Sequence, residues 1–164
     1  MKERNRIHQI IRLAIITALY VTLTIVLSFM SFGDIQFRIA EVLLFLCFFR
    51  KDYGIALILG CAIANFFSPL GIIDVVFGTL ATAISVFLIM KSKNIFIASL
   101  FPVVFNAVLV GLELHLVLGL PLLVSMATVA IGEAVVVVVL GNLIFFKLRK
   151  NTSFLELIEA TQNC

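Results

Sequence analysis

The stretch GDIQFRIAE, Gly33 to Glu41, separates two strongly apolar runs and carries Asp34, Arg38 and Glu41 within nine positions. On a helix, residues three and four apart share a face, so the three charges can stand in one row. An ionisable side chain at membrane depth costs about 2.5–3.5 kcal/mol on insertion scales. Such groups persist where they pair with one another or line a cavity. The stretch is therefore either a self-contained ion-pair ladder that stabilises a loop, or one wall of a polar ligand site. What surrounds it decides between the two.

Those surroundings are the surroundings of a membrane protein. Apolar residues form 63% of the chain and charged residues 13%, against roughly 45–50% and 25% in a soluble domain. A single core in a chain this short cannot hide so much apolar surface, and a chain immersed in lipid satisfies its backbone as helices. The net charge of +3 implies no nucleic acid, because the basic residues sit where membrane topology wants them. Cys47, Cys61 and Cys164 show no metal-ligand spacing and no disulfide framework. The N-terminus superficially resembles a signal peptide. Its apolar run continues to Phe32 with no small-residue cleavage site after it, so it reads as the first spanning helix.

Apolar segments lie at about 7–29, 37–49, 54–67, 72–90, 95–112 and 121–148. The second and third are short for spanning. The basic residues resolve the ambiguity. Apart from Arg38 they form four groups: Lys2, Arg4, Arg6 and Arg12; Arg50 and Lys51; Lys91 and Lys93; and Lys147, Arg149 and Lys150. The positive-inside rule makes all four cytoplasmic, so an even number of crossings separates neighbouring groups. The expected fold is an all-α integral membrane protein, one membrane domain over residues 1–164. It has six transmembrane helices, cytoplasmic N and C termini, and a polar cytoplasmic tail over 149–164. SPLG, Ser68 to Gly71, reads as a turn. Pro121 suits a helix start, and Pro102 is expected to kink the fifth helix. Ser153 and Glu156 have capping-box spacing, which predicts a short helix in the tail.

A rise of about 1.5 Å per residue converts sequence distance from each basic group into depth. Asn65, Asn106 and Glu133 then lie roughly 20 Å from the cytoplasmic edge, Asp74 roughly 25 Å, and Glu41 roughly 14 Å. Glu113, at roughly 30 Å, falls near the outer boundary; for it and for Asp34 a helix-end residue in contact with water stands as an alternative to a pocket carboxylate, whereas Glu133 and Glu41 sit well inside apolar runs. In a hydrocarbon core about 30 Å thick, most of these groups fall in the outer half. A proton or ion pathway needs polar groups through the full thickness, so the pattern predicts a pocket open to the outside and closed below. Asp34, Glu41, Asp74, Glu113 and Glu133 face one embedded base, Arg38. Surplus carboxylates suit a ligand that is cationic or rich in N–H donors. Helix one differs. Ala14, Ala18 and Thr22 form a small-residue row that lets another helix approach closely. Ala56, Gly60 and Ala64 form a similar row, which reads as packing inside this chain.

GDIQFRIAE together with ANFFSPLGIIDVVFGTLAT, Ala64 to Thr82, resembles the QueT family. The resemblance extends through VFNAVLVGLEL, Val104 to Leu114, and GEAVVVVVLG, Gly132 to Gly141. One departure is that EVLLFLCFF lacks a proline expected near Cys47. These proteins are the membrane-embedded S components of energy-coupling-factor (ECF) transporters, assigned to queuosine precursors. The resemblance implies an S-component-like bundle in the plasma membrane that binds 7-aminomethyl-7-deazaguanine or a close relative. It implies docking through helix one on a transmembrane coupling subunit, which works with two ATPase subunits, and no catalytic activity or cofactor in this chain. The residues suit such a ligand. A carboxylate can accept a pair of hydrogen bonds from a guanine-like edge, a second carboxylate can hold the aminomethyl cation, and Asn65, Asn106, Gln36 or Arg38 can meet the ring carbonyl. Phe37, Phe67 or Phe77 can stack on the ring. The competing readings are an S component for another vitamin, a stand-alone small transporter, an intramembrane enzyme, or a purely structural subunit. An enzyme lacks its usual parts, since His8 and His115 have no nucleophile at a suggestive spacing. A structural subunit has no reason to bury Glu133.

Overall fold

The computed structural model describes residues 2–33 and 35–159, and side chains from Arg6 onward. Asp34 and the end of the tail lie outside the described residues. Every regular element among the described residues is helical. Helix α1 is Lys2–Val26, followed by one further turn at Ser28–Ser31; α2 is Ile39–Phe49; α3 is Tyr53–Asn65; α4 is Ile72–Ile89; α5 is Ile95–Leu118; α6 is Leu122–Leu148; and α7 is Thr152–Leu157. Four of them (α1, α4, α5 and α6) are long and apolar enough to cross a membrane, whereas α2 and α3 are shorter.

Local chemistry sets the ends. Asn94 caps α5 by accepting a hydrogen bond from the Phe96 amide at 2.9 Å. The helix runs six residues past the expected end at Leu112 and stops at Gly119, the first residue in the left-handed region (φ 68°). Helix α5 continues through Pro102, and Pro121 stands at the start of α6. Gly71, also at positive φ, ends the SPLG turn. The tail helix begins earlier than its capping-box spacing predicts. Asn151, not Ser153, is the cap, and its side chain accepts from the Phe154 amide.

Packing joins α1 to α3, α3 to α4, α4 to α5 and α5 to α6, and α2 closes the ring between α6 and α1. The ring explains why α2 can be short, since no residue of it is exposed. Its first part, Ile39–Phe45, is a 3-10 helix. The 3-10 rise of about 2.0 Å per residue stretches the eleven residues to roughly 20 Å, more than an α-helix would reach. The tighter winding also eclipses residues three apart, which stacks Arg38, Glu41 and Leu44 along one inward row. Opposite it, α6 changes to a π-helix over Ala134–Gly141. Below the row lies an aromatic layer. Phe45 stacks on Phe145 with centroids 5.0 Å apart, and Phe49 and Phe154 join them. Among the described residues the half of the bundle nearest the basic groups is thus apolar, and its charges collect above.

The two small-residue rows part company. Ala56, Gly60 and Ala64 are buried, and a side chain on Gly60 would meet Tyr20 of α1 at 3.0 Å. Thr17 donates to the Ala56 carbonyl at 2.9 Å across the same seam. Ala14, Ala18 and Thr22 face outward and are exposed.

Candidate functional site

The stretch after Gly33 enters the bundle between two glycines. A side chain on Gly132 of α6 would collide with the backbone of Gln36. A side chain on Gly78 of α4 would collide with the Asn65 amide and crowd Asp74 and Arg38. Their missing side chains let the segment 36–38 lie inside the protein, where Gln36 and Arg38 are buried.

Arg38 is held from two directions. Its Nε donates to Gln36 Oε1 at 3.2 Å and its Nη2 donates to Asp74 Oδ1 at 3.3 Å. This buried pair spans the GDIQFRIAE stretch and α4, so the ladder is not closed within the stretch. Asn65 donates to the Asp74 carbonyl at 3.2 Å and to Cys61 Sγ at 3.3 Å, fixing the end of α3 against α4. The second guanidinium nitrogen, Nη1, has no hydrogen-bond partner among the described residues.

Glu41 is the most fully satisfied acid. Tyr20 of α1 donates to Oε1 at 3.0 Å, Thr82 of α4 donates to the same oxygen at 3.3 Å, and Asn106 of α5 donates to Oε2 at 3.4 Å. One carboxylate thereby ties four helices together. Tyr20 and Thr82 were not singled out from sequence. Thr82 had a signal, because Asp74, Gly78 and Thr82 recur every four positions and so share a face. Tyr20 had only the weaker one of a phenol inside an apolar run.

Glu113 and Glu133 have the opposite character. Both are fully buried, and among the described residues all four of their carboxylate oxygens lack hydrogen-bond partners, as does Asn106 Oδ1. Of the two readings open for Glu113, the structure does not support the water-exposed helix-end residue. Glu113 sits within α5, which continues beyond it, and the bundle covers it. Buried polar atoms are almost always paired, and an unpaired buried charge is costly. Two such acids on adjacent helices, beside an unused guanidinium N–H, make a site prepared for a ligand that donates to the carboxylates and accepts from Arg38. Among the described residues the buried charged groups here are one base, Arg38, and four acids, Glu41, Asp74, Glu113 and Glu133.

A cavity of about 350 Å³ lies at the end of the bundle away from the basic groups, where Gln36, Ser68, Asp74, Ser125 and Thr128 supply its polar wall and Leu114 part of its apolar one; of the buried cluster only Gln36 and Asp74 line it, and Arg38, Glu41, Glu113 and Glu133 do not. That volume is within the ~300–1,000 Å³ usual for small-molecule sites. Phe37 and Phe77 are half-buried. Phe67 is not part of the cluster: its ring is 63% exposed, because the SPLG turn directs it away from the bundle. Among the described residues no three His, Cys, Asp or Glu side chains converge as a metal would require.

A family model described as the QueT transporter matches residues 10–150. The chain belongs to that family. It is 36% identical over 147 residues to the queuosine precursor transporter QueT of Lactococcus lactis subsp. cremoris strain MG1363, covering 80% of this chain and 86% of that protein. No solved structure matches the chain. The family consists of transporters, not enzymes, which sets the intramembrane-enzyme reading aside.

Proposed function

We propose that this QueT-family chain is the substrate-binding S component of an ECF-type importer in the plasma membrane. It takes a queuosine precursor of the 7-aminomethyl-7-deazaguanine class from the outer side. The observation that carries this reading is the pair of buried carboxylates, Glu113 and Glu133, without hydrogen-bond partners among the described residues, in a bundle whose cavity is lined by Gln36, Asp74 and Leu114, the neighbour of Glu113. A deazaguanine has complementary chemistry. Its ring edge presents adjacent N–H donors, which one carboxylate accepts as a charge-assisted pair. Its ammonium meets the second carboxylate. Its ring carbonyl meets the free Arg38 Nη1. The Lactococcus relative is named as a queuosine precursor transporter, which supports the ligand class.

In this reading Glu41 is scaffold, since its three donors leave it little need for a ligand, and Asp74 holds Arg38 in place. All six helices α1 to α6 cross the membrane, with the basic groups and both termini inside. The exposed row Ala14, Ala18 and Thr22 is the face that docks on the coupling subunit, and ATP hydrolysis belongs to two partner ATPases. The test is calorimetric titration of the purified protein with 7-aminomethyl- and 7-cyano-7-deazaguanine, queuine, thiamine, riboflavin and biotin. Saturable binding confined to the deazaguanines is expected. Tighter binding of one of the other compounds would make the chain an S component for that vitamin. Uptake into vesicles by this chain alone would make it a stand-alone transporter.

A further inference from the structure

A second concavity lies far from the polar cluster, at the end of the bundle that carries the basic residues. It is a groove of about 640 Å³ between the start of α5 and the end of α6. Phe96, Val139 and Leu143 give it an apolar wall, and Lys147 and Arg149 close one end. In the helix ring α5 stands opposite α1, so the groove stays open when α1 is covered.

We propose that this groove binds one anionic phospholipid, its phosphate between Lys147 and Arg149 and an acyl chain along Phe96, Val139 and Leu143. Charge is the first support. Two of the acids at this end are engaged elsewhere: Glu159 pairs with Arg12 and Arg50, and Asp52 pairs with Arg50, while Glu156 is exposed on the tail helix and forms no ion pair among the described residues. Lys147 and Arg149 have no carboxylate partner among the described residues. Arg149 instead rests over the Phe146 ring, 4.4 Å from its centroid, and this holds its guanidinium beside the groove. Length is the second support. Below the basic end, from Phe146 to Val138, the groove follows α6 for roughly 12 Å, most of one leaflet of a hydrocarbon core about 30 Å thick, with Asn142 the one polar residue of that stretch in its wall. A basic end joined to a largely apolar channel of this length fits a charged headgroup with its chain, and fits a free anion poorly.

The test is native mass spectrometry of the full chain released from micelles containing phosphatidylglycerol or phosphatidylcholine, with glycerol phosphate as the headgroup alone. One retained phosphatidylglycerol per chain is expected, with little phosphatidylcholine. The double variant Lys147→Gln/Arg149→Gln should weaken retention by about tenfold or more. Val139→Trp, an exposed position, should weaken it by filling the channel without changing charge. Arg6→Gln/Lys51→Gln, which removes the same charge on α1 and before α3, away from the groove, should not weaken it. Melting temperatures report that each variant is folded. Equal retention of phosphatidylcholine, equal loss in both double variants, full retention by Val139→Trp, or competition by glycerol phosphate at lipid-like concentrations would each overturn the proposal.

Discussion

Arg38 donates to Asp74 at 3.3 Å across 36 positions of the chain, and both side chains are buried. Breaking such a pair from one side leaves an uncompensated charge and costs about 3–5 kcal/mol, whereas replacing both partners with apolar groups is often neutral. Arg38→Met and Asp74→Leu should therefore each lower the melting temperature of the purified protein. The double variant should melt higher than either single one. Additive losses in the double-mutant cycle would mean that the two side chains stabilise the fold independently.

Glu41 and Glu133 predict opposite responses to the same substitution. Glu41→Gln removes the charge that three donors address and should lower thermal stability. Glu133→Gln removes a buried charge with no partner, so the ligand-free protein should melt at the same temperature or higher. Binding moves the other way. Truncating one side of a buried charge pair costs about 2–5 kcal/mol, so Glu113→Gln and Glu133→Gln should each weaken a deazaguanine about thirtyfold or more. The variant at the carboxylate that holds the ammonium should weaken 7-aminomethyl-7-deazaguanine more than the 7-cyano compound. The one at the ring edge should weaken both alike. Wild-type titrations for both variants would show that these acids are structural.

The contrast between those two acids marks how much was legible in the sequence. Gln36, Arg38, Glu41, Asn65, Asp74, Asn106, Glu113 and Glu133 are all buried; polar residues set inside or beside apolar runs were legible as embedded, but depth from residue number left Glu113 near the boundary and did not show that the bundle covers it. Which acid is satisfied does not follow from residue number. It depends on the rotation of α1, α4 and α5 about their axes, and hence on Tyr20, Thr82 and Asn106 converging on one carboxylate. The 3-10 winding of α2 was equally hidden. Ile39 to Phe49 is apolar on nearly every side, so its pattern carries no period that separates 3-10 from α. Gly78 and Gly132 occur inside the quoted motifs, but only the neighbouring helices reveal that segment 36–38 needs their missing side chains.

Topology rests on the four basic groups. Reporter fusions after Lys51 and after Lys93 should both read as cytoplasmic. The first is the more discriminating, because α2 and α3 are too short to be assigned by length. An external signal at Lys51 would mean that the α2–α3 hairpin does not cross as two helices. The outward-opening pocket would then lose its orientation.

The outward row on α1 makes a different kind of prediction. Ala14 and Ala18 are exposed, so leucine at either position fits this chain without disturbing its core. A helix that must approach α1 closely meets the added bulk directly. Ala14→Leu and Ala18→Leu should leave deazaguanine titrations unchanged and abolish co-purification with the coupling subunit. Gly60→Leu serves as the contrast, since a side chain there collides with Tyr20 inside the chain, and it should lower stability itself. Normal co-purification of both alanine variants would move the docking face off this row.

The tail is tied to the bundle by one exposed acid and two apolar anchors. Glu159 accepts from Arg12 and Arg50, each at 2.7 Å, while Phe154 packs on Phe49 and Phe145. Tyr53 donates to the Ile158 carbonyl at 3.0 Å. The hydrogen bond from Arg12, followed by that from Arg50, holds the Glu159 carboxyl below its ordinary value. A lowered folded-state value means that the contact is fully present above the usual glutamate range and is lost as pH falls through the lowered one. Being exposed, the pairs are also screened by salt. Amide hydrogen exchange in Phe154–Ile158 should therefore be slow at neutral pH and low salt. After correction for intrinsic exchange, protection should fall on acidification and on addition of salt. Glu159→Gln should show the reduced protection already at neutral pH, and there it should respond little to salt. Equal protection in the variant and the wild type would place the hold on Phe154 and Ile158 alone.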